Sequence, residues 1–131
     1  MSVELSLLAY SVALLFVLIL IQATYGVLAQ GPKAMGGPRD NLKEPSVMQA
    51  RTKRLVDNHR EGLILFAPLV LIAALIGVSN QWTVLGAQLF FFARVAHAII
   101  YLAGWPTIRV ISWLVGIVGT VMIFLALFGL I

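Results

Sequence analysis

Two short runs of polar residues carry the chemistry available to this chain. Arg51, Arg54, Asn58 and Glu61 follow one another at spacings of three and four. At about 100° per residue they fall within roughly 80° of one helical face. Arg94, His97 and Tyr101 repeat the pattern later, on a face about 60° wide by the same arithmetic, and Arg109 follows them. Four arginines against one carboxylate, an amide, an imidazole and a phenol make a set with excess positive charge. Guanidinium forks match carboxylates or phosphates, so such a set expects an anionic ligand. Other chemistries are excluded. There is no cysteine, hence no thiolate, disulfide or zinc-thiolate site. His59 and His97 are the only histidines, and no carboxylate spacing accompanies them for a metal. The Gly36-Gly37-Pro38 cluster opens no phosphate-binding loop, and no serine has a base and an orienting group.

The elements that must position these residues follow from composition. Hydrophobic residues make up 61% and charged residues 11% of the 131 positions, against roughly half and about a quarter in soluble domains. A soluble fold of this size exposes too much of its chain to hide that much apolar surface. Residues 5–29 are uncharged and long enough to cross roughly 30 Å of hydrocarbon. The opening Met-Ser-Val-Glu lacks the basic start of a signal peptide, so this stretch is expected to stay as a membrane span. Gly- and Pro-rich residues 30–45 read as a loop. A helix is expected from about Ser46, a plausible N-cap, with polar first turns and an apolar span over 62–78. Ser79-Asn80-Gln81 makes a polar turn with Trp82 as an interfacial anchor. The third span covers 83–103, Gly104-Trp105-Pro106 breaks it, and the fourth covers 107–131. The chain therefore reads as one four-span membrane domain.

Charge sets the orientation. The net charge is +4, and seven of the nine basic residues lie between 30 and 61. No aromatic-basic pattern points to nucleic acid, and attraction to anionic lipid accounts for the cluster. The positive-inside rule places the 30–61 segment in the cytoplasm and both termini outside. Arg51, Arg54, Asn58 and Glu61 at the start of the second span then meet Arg94, His97 and Tyr101 near the end of the third. Arg109 opens the fourth at the same level. Arg94 lies about 15 Å from that end of its span at roughly 1.5 Å per residue, where facing lipid would cost at least about 2.5–3.5 kcal/mol. It is expected to turn inward and find an anion. The plain structural alternative is an Arg94–Glu61 ion pair with a core His97 and an interfacial Tyr101. Lys53, Asp57 and Arg60 form a neighbouring stripe that reads as the solvated face of the same helix.

The motif Arg54-x-x-x-Asn58-x-x-Glu61, with Phe-Phe-Ala-Arg94-Val-Ala-His97-Ala-Ile-Ile-Tyr101, Pro106 and Arg109, resembles the membrane-associated proteins in eicosanoid and glutathione metabolism, the MAPEG family. Hydropathy and loop order agree over the whole chain, and Gly-Gly-Pro-Arg-Asp at 36–40 is similar to the small bacterial members. The resemblance implies a left-handed four-helix transmembrane bundle, assembled as a homotrimer in a bacterial inner membrane, with glutathione as cosubstrate. It implies that Arg54, Asn58 and Glu61, with Arg51 beside them, hold the tripeptide's polar backbone and termini. Arg94, His97 and Tyr101 would line the same pocket, and Arg109 would stabilise the glutathione thiolate. A glutathione transferase or peroxidase acting on lipophilic electrophiles or lipid hydroperoxides follows as the expectation. A non-catalytic scaffold, or an accessory subunit of a larger membrane complex, is the alternative.

Overall fold

The computed structural model describes all residues, 1–131. It contains five helices and no strand: α1 (Val3–Gln30), the short α2 (Pro32–Gly36), α3 (Val47–Ile76), α4 (Gln81–Ala103) and α5 (Pro106–Leu127). Four of them, all except α2, are long and apolar enough to cross a membrane. The chain is thus an integral, multi-pass helical bundle.

Local sequence explains where each helix starts and stops. Ser2 and Ser46 cap α1 and α3, accepting from the backbone N–H of Leu5 and Gln49 at 3.1 Å each. Asn80 caps α4 in a capping box, its Oδ1 accepting from Trp82 and Thr83 N–H while Thr83 Oγ1 accepts from Asn80 N–H. Gly77 and Gly104 end α3 and α4 in the left-handed conformation, with φ of 73° and 79°, which a residue with a Cβ adopts only at a cost. Pro106 opens α5 at a position whose N–H would go unused in any helix. The polar first turns and apolar remainder of α3 form one continuous helix. Pro68 interrupts its hydrogen bonding without ending it. The connection differs from a plain loop: Pro32 pre-sets the first turn of α2. Gln30 then ties the connection down, donating to Lys43 O and Gln49 Oε1 at 3.0 Å each and accepting from Lys43 N–H at 2.8 Å.

Antiparallel α4 and α5 make the most extensive pairing, and α1 packs chiefly on α3. Gly86 and Gly119 let α4 and α5 approach closely. A Cβ built on Gly86 would lie 2.6 Å from Gly119 O and 2.8 Å from Ile123 Cγ1. Both atoms belong to a packed helix, so little can yield. Gly86→Ala is therefore expected to destabilise the bundle by about 1–3 kcal/mol, seen as a lower thermal unfolding midpoint in detergent.

The core has two apolar layers. One contains Leu7, Leu8, Leu63, Phe66, Val70, Ala87, Phe90 and Ile123, with the Phe66 and Phe90 rings stacked at 3.9 Å. The other contains Leu18, Leu55, Val56 and Ala98. Between these layers three helices carry a buried polar residue: Ser11 on α1, His59 on α3, Arg94 on α4. At the far end, near the termini of the bundle, Glu4 is also buried. Its Oε1 accepts from Ser79 Oγ at 2.9 Å and Thr83 Oγ1 at 2.5 Å, fastening α1 to the α3–α4 turn.

Candidate functional site

The polar layer is built around Arg94, which is 3% exposed. Its stem passes between two glycines. A Cβ on Gly62 of α3 would lie 3.5 Å from Arg94 Cζ, and one on Gly116 of α5 would lie 3.5 Å from Arg94 Cδ. Arg94 Nη2 donates to Asn58 Oδ1 at 2.7 Å, and Nε donates to His59 Nδ1 at 3.3 Å. Nη1 bonds to no protein atom.

Both partners of Arg94 are neutral, and the Arg94–Glu61 ion pair of the plain structural alternative is not formed. The ion pairs of the chain are Lys53–Asp57 at 2.9 Å and Arg60–Asp57, both on the exposed stripe of α3. Glu61 is exposed and lies within electrostatic range of Arg94 without touching it. The reason is geometric: Asn58 and His59, one turn earlier, reach α4 first, while Glu61 sits on the open side of α3. A buried guanidinium is thereby left with no carboxylate in contact, Glu61 acting on it only across a distance.

Closer to the connecting-loop end, Arg54 Nε donates to Tyr101 Oη at 3.1 Å, and the Arg109 guanidinium lies over the Tyr101 ring, 5.2 Å from its centroid. Because the phenol oxygen accepts from Arg54, its own O–H remains free to donate onward. His97 stands beside Tyr101, ring centroids 5.4 Å apart; it is 2% exposed, and its Nδ1 has no partner. Arg51 Nη1 donates to Leu102 O at 3.3 Å, satisfying a carbonyl at the end of α4. The structure therefore brings Arg54, Tyr101, His97 and Arg109 together, joins Asn58 to Arg94, gives Arg51 a capping bond, and leaves Glu61 free.

Two hollows lie on the same helices, and of the candidate site residues above only Arg54 lines one of them. A cavity of about 790 Å³ lies between α1, the connection and α3, lined by Gln22, Gly26, Met35, Arg39, Lys53 and Arg54 among others. Arg54 stands on its wall. An apolar groove of about 410 Å³ runs between α3 and α5 past Ile64, Leu65, Pro68, Ile117, Val121 and Phe124. It begins one helical turn beyond Glu61, on the membrane-spanning part of α3.

Four participants escaped sequence reasoning. His59 was legible only as one of two histidines. Gly62 and Gly116, which make room for Arg94, carry no signal of their own. The outer Glu4 clamp reads in sequence as a carboxylate favourable to a helix start.

The MAPEG family model matches residues 7–129, nearly the whole chain. No curated protein and no solved structure gives a match.

Proposed function

The chain belongs to the MAPEG family, and from that premise we propose that it binds glutathione and transfers the tripeptide's thiolate to lipophilic electrophiles, or uses it to reduce lipid hydroperoxides. The observation that carries this reading is Arg94, buried against neutral partners only. A guanidinium removed from water without a counter-ion favours a ligand that brings one. Glutathione brings two carboxylates and one ammonium. The unpaired arginines suit the carboxylates, and the free Glu61 suits the ammonium. Tyr101 lies seven residues from Arg94 on α4, a rise of about 10 Å, which matches roughly the length of an extended tripeptide.

The chemistry assigned to the site is thiolate formation and delivery. A cation and a phenolic donor beside the sulfur favour the thiolate over the thiol. Arg109 and the free Tyr101 O–H are the groups for that task. In conjugation the sulfur's electron pair forms the new S–C bond and the leaving group departs with its own pair. In peroxide reduction two glutathiones become the disulfide while the hydroperoxide becomes alcohol and water. The apolar α3–α5 groove is the place assigned to the lipophilic partner, which would enter from the bilayer. We assign the 30–61 segment to the cytoplasm from its basic residues, and a homotrimer from family membership. The mass of the detergent-solubilised assembly tests the latter.

The contrasting reading is a scaffold in which Arg94, Asn58 and His59 merely staple three helices, an arrangement their hydrogen bonds also suit. Turnover with a chlorodinitrobenzene and with a fatty-acid hydroperoxide, each in the presence of glutathione, tests the enzyme reading; absence of both activities favours the scaffold. Arg54 supplies a finer test. Arg54→Ala removes a ground-state contact, so the glutathione KM is expected to rise about tenfold while the pH profile of turnover keeps its shape.

A further inference from the structure

The buried His59 is used by nothing in the mechanism above, yet it ties its own helix α3 to two others. Its Nε2 lies 2.9 Å from the Ser11 carbonyl oxygen of α1, its Nδ1 receives the Arg94 Nε–H of α4, and its ring stacks beside Phe90 at 6.5 Å. A carbonyl can only accept, and Arg Nε–H can only donate. His59 must therefore carry its proton on Nε2 and offer a bare Nδ1. The Ser11 carbonyl has a second lone pair for this bond beyond any helical one. The side chain is 1% exposed, so water does not compete for either nitrogen.

From this geometry we propose that His59 is a positioning residue: by holding Arg94 at Nε while Asn58 holds Nη2, it fixes the guanidinium plane and aims Nη1 at the carboxylate of the bound anion. A guanidinium is planar, so a hold at two of its three nitrogens sets the direction of the third. Asn58 alone would leave the group free to pivot in the space left by Gly62 and Gly116. The Ser11 carbonyl does not touch the ligand or Arg94; it locks the tautomer that lets Nδ1 accept. Second partners of this kind orient the groups that make contact, and losing one costs function without removing any contacting atom. The inference rests on the glutathione reading for the nature of the anion, but the His59–Arg94 bond stands independently of it.

The two roles of His59 separate by substitution. An asparagine places its amide oxygen near the position of Nδ1 and has nothing to reach Ser11. A glutamine places its amide nitrogen near Nε2 and withdraws the acceptor from Arg94. His59→Asn is expected to keep glutathione affinity within about threefold while lowering the thermal midpoint. His59→Gln is expected to lose affinity roughly tenfold, and its midpoint falls as well because the buried Arg94 Nε–H loses its acceptor. Equal losses of affinity in the two variants, or unchanged affinity in His59→Gln, would overturn the positioning role and leave His59 as packing. Nitrogen-15 spectra of the histidine-labelled protein supply the ligand-free readout. An Nε2-protonated His59 whose Nδ1 resonance moves in Arg94→Met supports the proposal, and the opposite tautomer overturns it. If wild type binds no glutathione, the functional reading falls, and these spectra still decide the His59–Arg94 bond.

Discussion

Arg94→Met is expected to weaken glutathione binding roughly 30- to 1000-fold while leaving the unliganded protein about as stable as before. The affinity loss corresponds to about 2–4 kcal/mol, the usual cost of truncating one member of a buried charge pair. The stability result follows from two opposed terms. Removing a guanidinium buried against Asn58 and His59 relieves a desolvation penalty, because neither partner compensates its charge. Leaving Asn58 Oδ1 and His59 Nδ1 without a donor costs about 1–3 kcal/mol for each buried group. Methionine fills the slot between Gly62 and Gly116 without strain, since it is unbranched and flexible. The staple reading predicts the reverse, a large loss of stability and no ligand-linked effect. Thermal midpoints with and without saturating glutathione check both at once. Wild type should gain about 2.7 kcal/mol at a ligand concentration of roughly 100 times its Kd, and Arg94→Met less than about 1 kcal/mol at the same concentration.

Arg109→Ala is the second large effect, and it falls on chemistry instead of binding. Arg109 touches the Tyr101 ring and no carboxylate, so its removal breaks no ion pair of the free protein. Glutathione affinity should change little, because Arg54, Asn58, Glu61 and Arg94 remain. The thiol pKa in the complex should rise, since the cation that favours the charged form is gone. Each unit of that rise is about 1.4 kcal/mol and lowers the thiolate fraction tenfold at pH values below the thiol pKa. Turnover at neutral pH should therefore fall about 10- to 100-fold and recover as pH rises through the new pKa. Thiolate absorbance of the saturated complex, followed against pH, gives the shift directly. Arg109→Lys should restore part of the activity, because a point charge remains where the planar fork is lost.

How far the sequence foretold this arrangement depends on what kind of constraint acted on each residue. Arg94 was legible because a cation deep in an apolar run has an energetic cost that admits few solutions, and inward burial is the one found. The four long helices were legible for the same reason, since lipid demands uninterrupted apolar spans. The caps at Ser46 and Gly104 follow from local chemistry. The partner of Arg94 was not legible, because a shared face fixes angle and leaves open which group reaches across. Asn58 and His59 took the place that the ion-pair alternative gave to Glu61. His59 itself depends on a main-chain carbonyl of α1, 48 positions away, and backbone acceptors leave no trace in residue type. Gly62 and Gly116 matter for the space they leave, which only the assembled helices define. Glu4 gives no pairing signal in the sequence, yet it joins Ser79 and Thr83 in a buried clamp.

In the proposed function, the arginines of this bundle that no carboxylate contacts receive the carboxylates of glutathione. Isothermal calorimetry of the detergent-purified protein tests it most directly, with glutathione, its S-hexyl derivative, and a diester of glutathione blocked at both carboxylates as titrants. The first two are expected to bind saturably, the diester not detectably, and the heat should be lost in Arg94→Met. Equal binding of the diester, or no heat with any of the three, would contradict the proposed function.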